Sequence, residues 1–172
     1  MVKATISHIV VMGKDRSLGQ GKNLLWETPE HLALFRKRTL NSIIIMGRKT
    51  LDIIGKPLNN ATNIIISKNI NYRVNNAIVL NNIETTMTYA ASLAKSHNIK
   101  RVYIIGGAQI YQETLPFIDS VEATIIDENL GGKLYYPDID THFISATHPN
   151  NNESNEKLSF LYYQRKGGLI NA

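Results

Sequence analysis

Cysteine is absent from this 172-residue chain, which excludes a disulfide framework, a thiolate metal centre and a cysteine nucleophile. Histidine is sparse, at positions 8, 31, 97, 142 and 148. No two histidines stand four apart and none belongs to an HExxH helix, so no metal site is expected. Long apolar runs are missing as well. Stretches such as Ile9–Met12 and Ile43–Met46 are too short to span a bilayer, and the first residues do not join a basic region to a long apolar segment. No membrane partner is expected, and the cytoplasm is the expected compartment. Basic residues outnumber acidic ones by 19 to 14, yet they are scattered and not interleaved with aromatics as in single-strand binders. Nucleic acid is therefore not an expected partner, and the net charge of +5 fits a mild attraction for small anions.

What is present suits one compact domain over residues 1–172, without repeat or linker. Hydrophobic residues make up 43% and charged ones 19%, the balance of a globular protein with a real core. Apolar, β-branched runs predict strands over Thr5–Met12, Ile43–Met46, Thr62–Ser67, Ala77–Leu80, Arg101–Ile105, Val121–Asp127 and Ser159–Arg165. Helical patterns fall between them, over Thr28–Arg38, Arg48–Ile54, Glu84–Lys95 and from Gly107 to about Leu115. The polar run from His148 to Glu156 reads as an exposed loop. Alternating strands and helices with continuous apolar strands predict an α/β domain around a mostly parallel sheet.

In such sheets, ligands sit beyond the carboxyl ends of strands, where helix amino termini offer free N–H groups. Two junctions here have that form. In the first, Ile43-Ile-Ile-Met-Gly47-Arg-Lys-Thr50, Gly47 permits close approach and Thr50 offers a hydroxyl. Arg48 and Lys49 are cations at a helix start, each opposing the helix dipole by ~0.3–1 kcal/mol. A bound phosphate would offset that. In the second, Val102-Tyr-Ile-Ile-Gly106-Gly107-Ala-Gln-Ile-Tyr111, paired glycines permit backbone conformations closed to other residues. A tight strand–helix turn would explain them equally well. A third strand ends in Ser67 and Lys68. If its end lies beside Arg48, these groups would surround a phosphate monoester such as the 2′-phosphate that distinguishes NADPH from NADH.

Taken in order, these pieces resemble the dihydrofolate reductase family, from about Ile6 to Arg165. The matching marks are Asp15-Arg-Ser-Leu-Gly19, Leu24-Leu-Trp26, Pro29 with Phe35, Ile45-Met-Gly-Arg-Lys-Thr50, Ile54-Gly-Lys-Pro-Leu58, Asn63-Ile-Ile, Ile104-Ile-Gly-Gly-Ala-Gln-Ile-Tyr111 and Tyr136-Pro-Asp138. The resemblance implies a central eight-stranded sheet, a covering loop near Lys14–Leu25, a cis bond between Gly106 and Gly107, and NADPH as hydride donor. It places Val11, Leu18 and Gly19 at the nicotinamide, Arg48, Lys49, Ser67 and Lys68 around the 2′-phosphate, and Thr50 and Gly107 at the pyrophosphate. Gly47, Ile105, Gly106, Ala108, Gln109 and Tyr111 complete the implied cofactor surface, Gln109 standing where bacterial relatives often carry a base. Leu32, Phe35, Ile54 and Ile105 are the implied walls of the acceptor pocket, with Trp26 and Thr124 beside the reacting centre.

The folate half of the pattern fails. Family members carry Asp or Glu four residues before the Phe of the first helix, and here that position is His31. Glu30 cannot substitute simply, because one helical step turns a side chain by about 100°. The arginine that grips the folate α-carboxylate is replaced by Ala61, at a cost on the order of 1.5–3 kcal/mol of binding. Leu25 stands where a Pro usually precedes the Trp. His31 remains open between a general acid near neutral pH, a neutral hydrogen-bonding group and a structural residue. The expected activity is hydride transfer from NADPH to a C=N bond of a small acceptor other than dihydrofolate, by a monomer or homodimer. A true dihydrofolate reductase, whether or not tolerant of antifolates, is the alternative, and a non-catalytic NADPH-binding protein the third reading.

Overall fold

The computed structural model describes residues 3–19, 29–146 and 158–167, with the backbone alone at 29–32. Strands β1 (Thr5–Gly13), β2 (Ile43–Gly47), β3 (Thr62–Ile66), β4 (Ile78–Leu80), β5 (Arg101–Ile104), β6 (Ser120–Ile126), β7 (Phe143–Ala146) and β8 (Leu158–Arg165) form one eight-stranded sheet in the order β4-β3-β2-β5-β1-β6-β8-β7. The helices are α1 (Pro29–Thr39), α2 (Arg48–Ile54), α3 (Ile83–Ser96) and α4 (Ala108–Thr114). Every neighbouring pair is parallel except the two made by β8, which runs against β6 and β7. The expected mostly parallel, eight-stranded α/β sheet is thus the observed one.

Burial explains why the strands look as they do in sequence. All five residues of β2 are buried, because helices cover both faces of the sheet there, and an uninterrupted apolar run is the result. Strand β8 is nowhere fully buried and carries polar residues at Ser159 and Gln164. β7 is a correction to the sequence reading, which placed no strand there. Only Phe143 of its four residues is buried, so it carries no periodic signal to read. Elsewhere the boundaries differ by a residue or two. Ile105 lies beyond β5, though its N–H still donates to the Ile45 carbonyl at 3.0 Å.

The two sheet faces carry separate cores. One holds Val10, Met12, Ile43, Ile45, Ile64 and Ile104 together with Tyr111 and Tyr136. The other holds Phe35, Ile44, Met46, Leu51, Ile65, Tyr103 and Ile105. Helix α3 starts at an Asn82 cap, whose side chain accepts from the Thr85 N–H at 2.8 Å. The carboxyl ends of β2 and β5 release the chain directly into α2 and the Gly106–Gly107 turn before α4, which fixes where a site can form.

Candidate functional site

The amino termini of α2 and α4 lie side by side at that edge. The Gly47 N–H donates to the Gly106 carbonyl at 2.9 Å, stitching the two junctions together. Gly47 and Gly107 are the helix caps, and neither helix start is closed by a side-chain hydrogen bond. A Cβ on Gly47 would meet Ile110 Cγ1 at 3.0 Å, and one on Gly107 would lie 3.6 Å from Thr50 Oγ1. Both glycines thus sit at neighbouring helix starts that no side chain caps, a cradle of the kind that suits an anion. Gly106 has φ +114°, a region that strongly favours glycine, and its bond to Gly107 is cis, as the sequence resemblance implied. Ala108 opens α4, while the Gln109 amide donates to Glu113 Oε1 at 2.6 Å along its own helix.

A cationic group lies next to this cradle. Arg48 and Lys49 are exposed in the first turn of α2, which itself holds no acidic residue; Asp52, one turn on, lies 3.9 Å from Arg48 Nε. Ser67 is buried at the end of β3 with Lys68 exposed beside it. The Ser67 oxygen accepts from the Asn69 N–H at 3.2 Å, which leaves its own hydroxyl proton to give away. Parallel pairing of β2 with β3 ends at Gly47 opposite Ile66, one residue short of Arg48 and Ser67. That register is what brings the two strand ends together.

On the α1 side of the sheet, β1 and β6 place Val11 opposite Thr124. The Thr124 hydroxyl has no hydrogen-bond partner among the described residues. Phe35, Ile105 and the half-buried Ile54 make an apolar wall on the same face. Helix α1 sets position 31 one turn before Phe35. The side chains of His31 and Leu32, and all of Trp26, lie outside the described residues. Leu18 and Gly19 are the last described residues of the segment after β1. It is pinned by Leu18 N–H to Leu134 O at 2.9 Å and by Ser17, whose hydroxyl hydrogen-bonds Asp15 and accepts from Leu130 N–H. That Ser17 contact holds the Asp15 carboxyl below its usual range.

Tyr111 departs from the expected cofactor surface. It is buried in the core behind the Gly106–Gly107 turn, with its hydroxyl donated to the Ile9 carbonyl at 2.6 Å and its ring 3.2 Å from where a Gly106 Cβ would stand. Burial pushes its phenol far above the ordinary value. The residue packs behind the turn with its hydroxyl already committed to the Ile9 carbonyl.

Sequence reasoning missed two buried polar groups. His8 lies in the apolar β1, with Nδ1 2.7 Å from the Tyr136 hydroxyl and Nε2 2.8 Å from Thr114 Oγ1. Glu122 lies in β6 with Arg38 Nη1 at 3.0 Å, Arg101 Nη1 at 3.7 Å and the Tyr103 hydroxyl at 3.5 Å. Burial, followed by the nearby Glu122 charge, pushes the Tyr103 phenol up to about 12. A polar residue interrupting an otherwise apolar strand was the available signal in both cases. A cavity lined by Lys3, Thr5, Asp119, Tyr162 and Arg165 opens at the opposite end of the sheet. Two of its charged groups hold the fold together: Asp119 accepts from Ile6 N–H at 2.9 Å and Arg165 donates to the Ile118 and Leu115 carbonyls.

The sequence profile of the dihydrofolate reductase family matches residues 5–165. The chain belongs to that family. It is 30% identical to dihydrofolate reductase of Bacillus subtilis over 165 residues, covering 94% of this chain and 95% of that one. It is 32% identical to dihydrofolate reductase of Neisseria meningitidis, covering 96% and 99%. Among solved structures, dihydrofolate reductase from Enterococcus faecalis in complex with NADP(H) and RAB-propyl superposes with a TM-score of 0.76 at 24% identity, covering 94% of this chain and 96% of that one. This dihydrofolate reductase family member is thus an oxidoreductase, and it keeps the family's fold over nearly its whole length. Among the described residues no helix is long and apolar enough to cross a membrane, and no cluster of potential metal ligands is found.

Proposed function

We propose that this family member uses NADPH to reduce a C=N bond in a compact acceptor other than dihydrofolate. The observation that carries the reading is Ala61. Its methyl group packs against the apolar cluster of Phe35, Leu51 and Ile65, beside Ile54 and Leu58, where the family holds a carboxylate-binding arginine. The nearby cations Arg36 and Lys56 are exposed, and a lysine offers a point charge without the arginine fork.

The cofactor half departs from the family pattern far less, chiefly at Gln109. Arg48, Lys49, Ser67 and Lys68 would hold the 2′-phosphate, Thr50, Gly107 and Ala108 the pyrophosphate, and Val11, Leu18, Gly19, Ile105 and Gly106 the nicotinamide end. NADPH, when bound, supplies the hydride. His31 then holds the proton that the reduced nitrogen needs, in the position the family gives a carboxylic acid. Thr124 and Trp26 border that centre, and Leu32, Phe35, Ile54 and Ile105 exclude water from it. The names of the curated relatives favour dihydrofolate itself as acceptor, and this second reading makes a different prediction.

Dihydrofolate-dependent NADPH oxidation by the pure protein separates them. Weak binding and slow turnover are expected, with Ala61→Arg tightening binding roughly tenfold or more and His31→Asp raising the rate. Turnover and KM in the ordinary enzyme range would establish dihydrofolate as the acceptor. With an acceptor identified by ligand screening, the hydride-transfer rate should fall as pH rises through the His31 pKa. His31→Ala should remove that dependence and leave NADPH affinity intact.

A further inference from the structure

Arg48 does not project freely into solvent. Its guanidinium carbon sits 4.7 Å from the centroid of the Tyr72 ring, and its Nε lies 3.9 Å from Asp52 Oδ2, one turn further along α2. Tyr72 is carried there by a built turn. The Ser67 hydroxyl oxygen accepts from Asn69 N–H at 3.2 Å, Asn69 Oδ1 from Asn71 N–H at 3.0 Å, and the Asn69 carbonyl from Tyr72 N–H at 3.0 Å. Arg73 then donates to the Ile70 and Tyr72 carbonyls at 2.8 and 2.7 Å. The ring also packs against the Phe35–Ile65 core, so it is anchored on one side and stacked on the other.

We propose that Tyr72 is a positioning residue for Arg48, and that Tyr72 and Asp52 together set how strongly the protein prefers NADPH over NADH. The inference rests on the NADPH reading above. Stacking covers one face of the guanidinium and uses none of its in-plane N–H donors, so the fork is oriented with its donors available to a phosphate. Rotamer freedom that a solvent-exposed arginine would lose on binding is already given up in the folded protein. Asp52, at a distance too long for a hydrogen bond, restrains the same side chain while competing with an incoming dianion. Ser67 joins the two halves of the device, since it lies in the phosphate group and also caps the turn bearing Tyr72.

The test is the dissociation constant of NADPH and of NADH, measured calorimetrically with the full chain. Tyr72→Leu should weaken NADPH roughly three- to fivefold and leave NADH unchanged. Tyr72→Phe keeps the aromatic face and should match wild type, whereas Asp52→Asn should tighten NADPH about twofold. Equal losses for both cofactors in Tyr72→Leu, or Tyr72→Phe as weak as Tyr72→Leu, would overturn the inference by reducing Tyr72 to loop packing. A wild-type protein that binds both cofactors alike would overturn the NADPH reading itself, and the assignment of Tyr72 with it.

Discussion

His8 is held neutral by its surroundings, and the hydrogen-bond network says in which form. Thr114 donates its hydroxyl proton to the Ile110 carbonyl at 2.5 Å, so its oxygen accepts from His8 Nε2–H. Nδ1 is then the acceptor for the Tyr136 hydroxyl. Burial, aided by the Arg165 charge, lowers the His8 pKa to about 3 from 6.5. Above pH 6.5 both folded and unfolded chains carry a neutral imidazole, and nothing is lost. Between 6.5 and 3 the unfolded chain takes up a proton that the native one refuses, so stability falls as pH falls, by at most ~1.4 kcal/mol per unit. Urea unfolding of wild type and His8→Leu at pH 7 and pH 5 checks this. The variant should lose about 1–3 kcal/mol at pH 7, because Tyr136 and Thr114 are left unmatched, yet show the shallower pH slope. Parallel slopes would mean that His8 is not the titrating group. Its identity was plain in the sequence, but its partners come from 106 and 128 residues away, so its role was not.

Helix α1 carries position 31 near its start and Arg38 in its last turn, and it is the last turn that is fastened to the sheet. Arg38 binds Glu122 at 3.0 Å, and Glu122 is almost wholly buried. Removing one partner of a buried pair typically costs ~3–5 kcal/mol. Arg101 and Tyr103 still face the carboxylate, and Arg38 itself is partly exposed, so Arg38→Met should cost about 2 kcal/mol by urea unfolding. A change under ~0.5 kcal/mol would show that the pair does not fasten the helix. The span of α1 was readable from Pro29 and the apolar positions up to Phe35. Its attachment was not, since nothing local ties Arg38 to a glutamate 84 residues later.

At the scale of the molecule, cofactor binding should appear as added stability, because the cradle at α2 and α4 and the cations around Ser67 exist only in the folded chain. NADPH at a hundred times its Kd should contribute about 2.7 kcal/mol, or a rise in Tm of roughly 5–10 °C. NADH at the same concentration should raise it less, and methotrexate alone should do little if both folate handles are lost. Equal shifts with NADPH and NADH in calorimetry would contradict the phosphate assignment. The sequence by itself determined the family, the strand–helix alternation, both glycine junctions and the two departures at His31 and Ala61, because these are local patterns or fixed spacings along one chain. Only the tertiary structure decided that Gly47 and Gly106 share a hydrogen bond, that Tyr111 packs behind the turn in the core, that Tyr72 lies beneath Arg48 and that Glu122 fastens α1. Each of these depends on which parallel strands become neighbours and in what register. Backbone pairing across the sheet sets that, and no single segment encodes it.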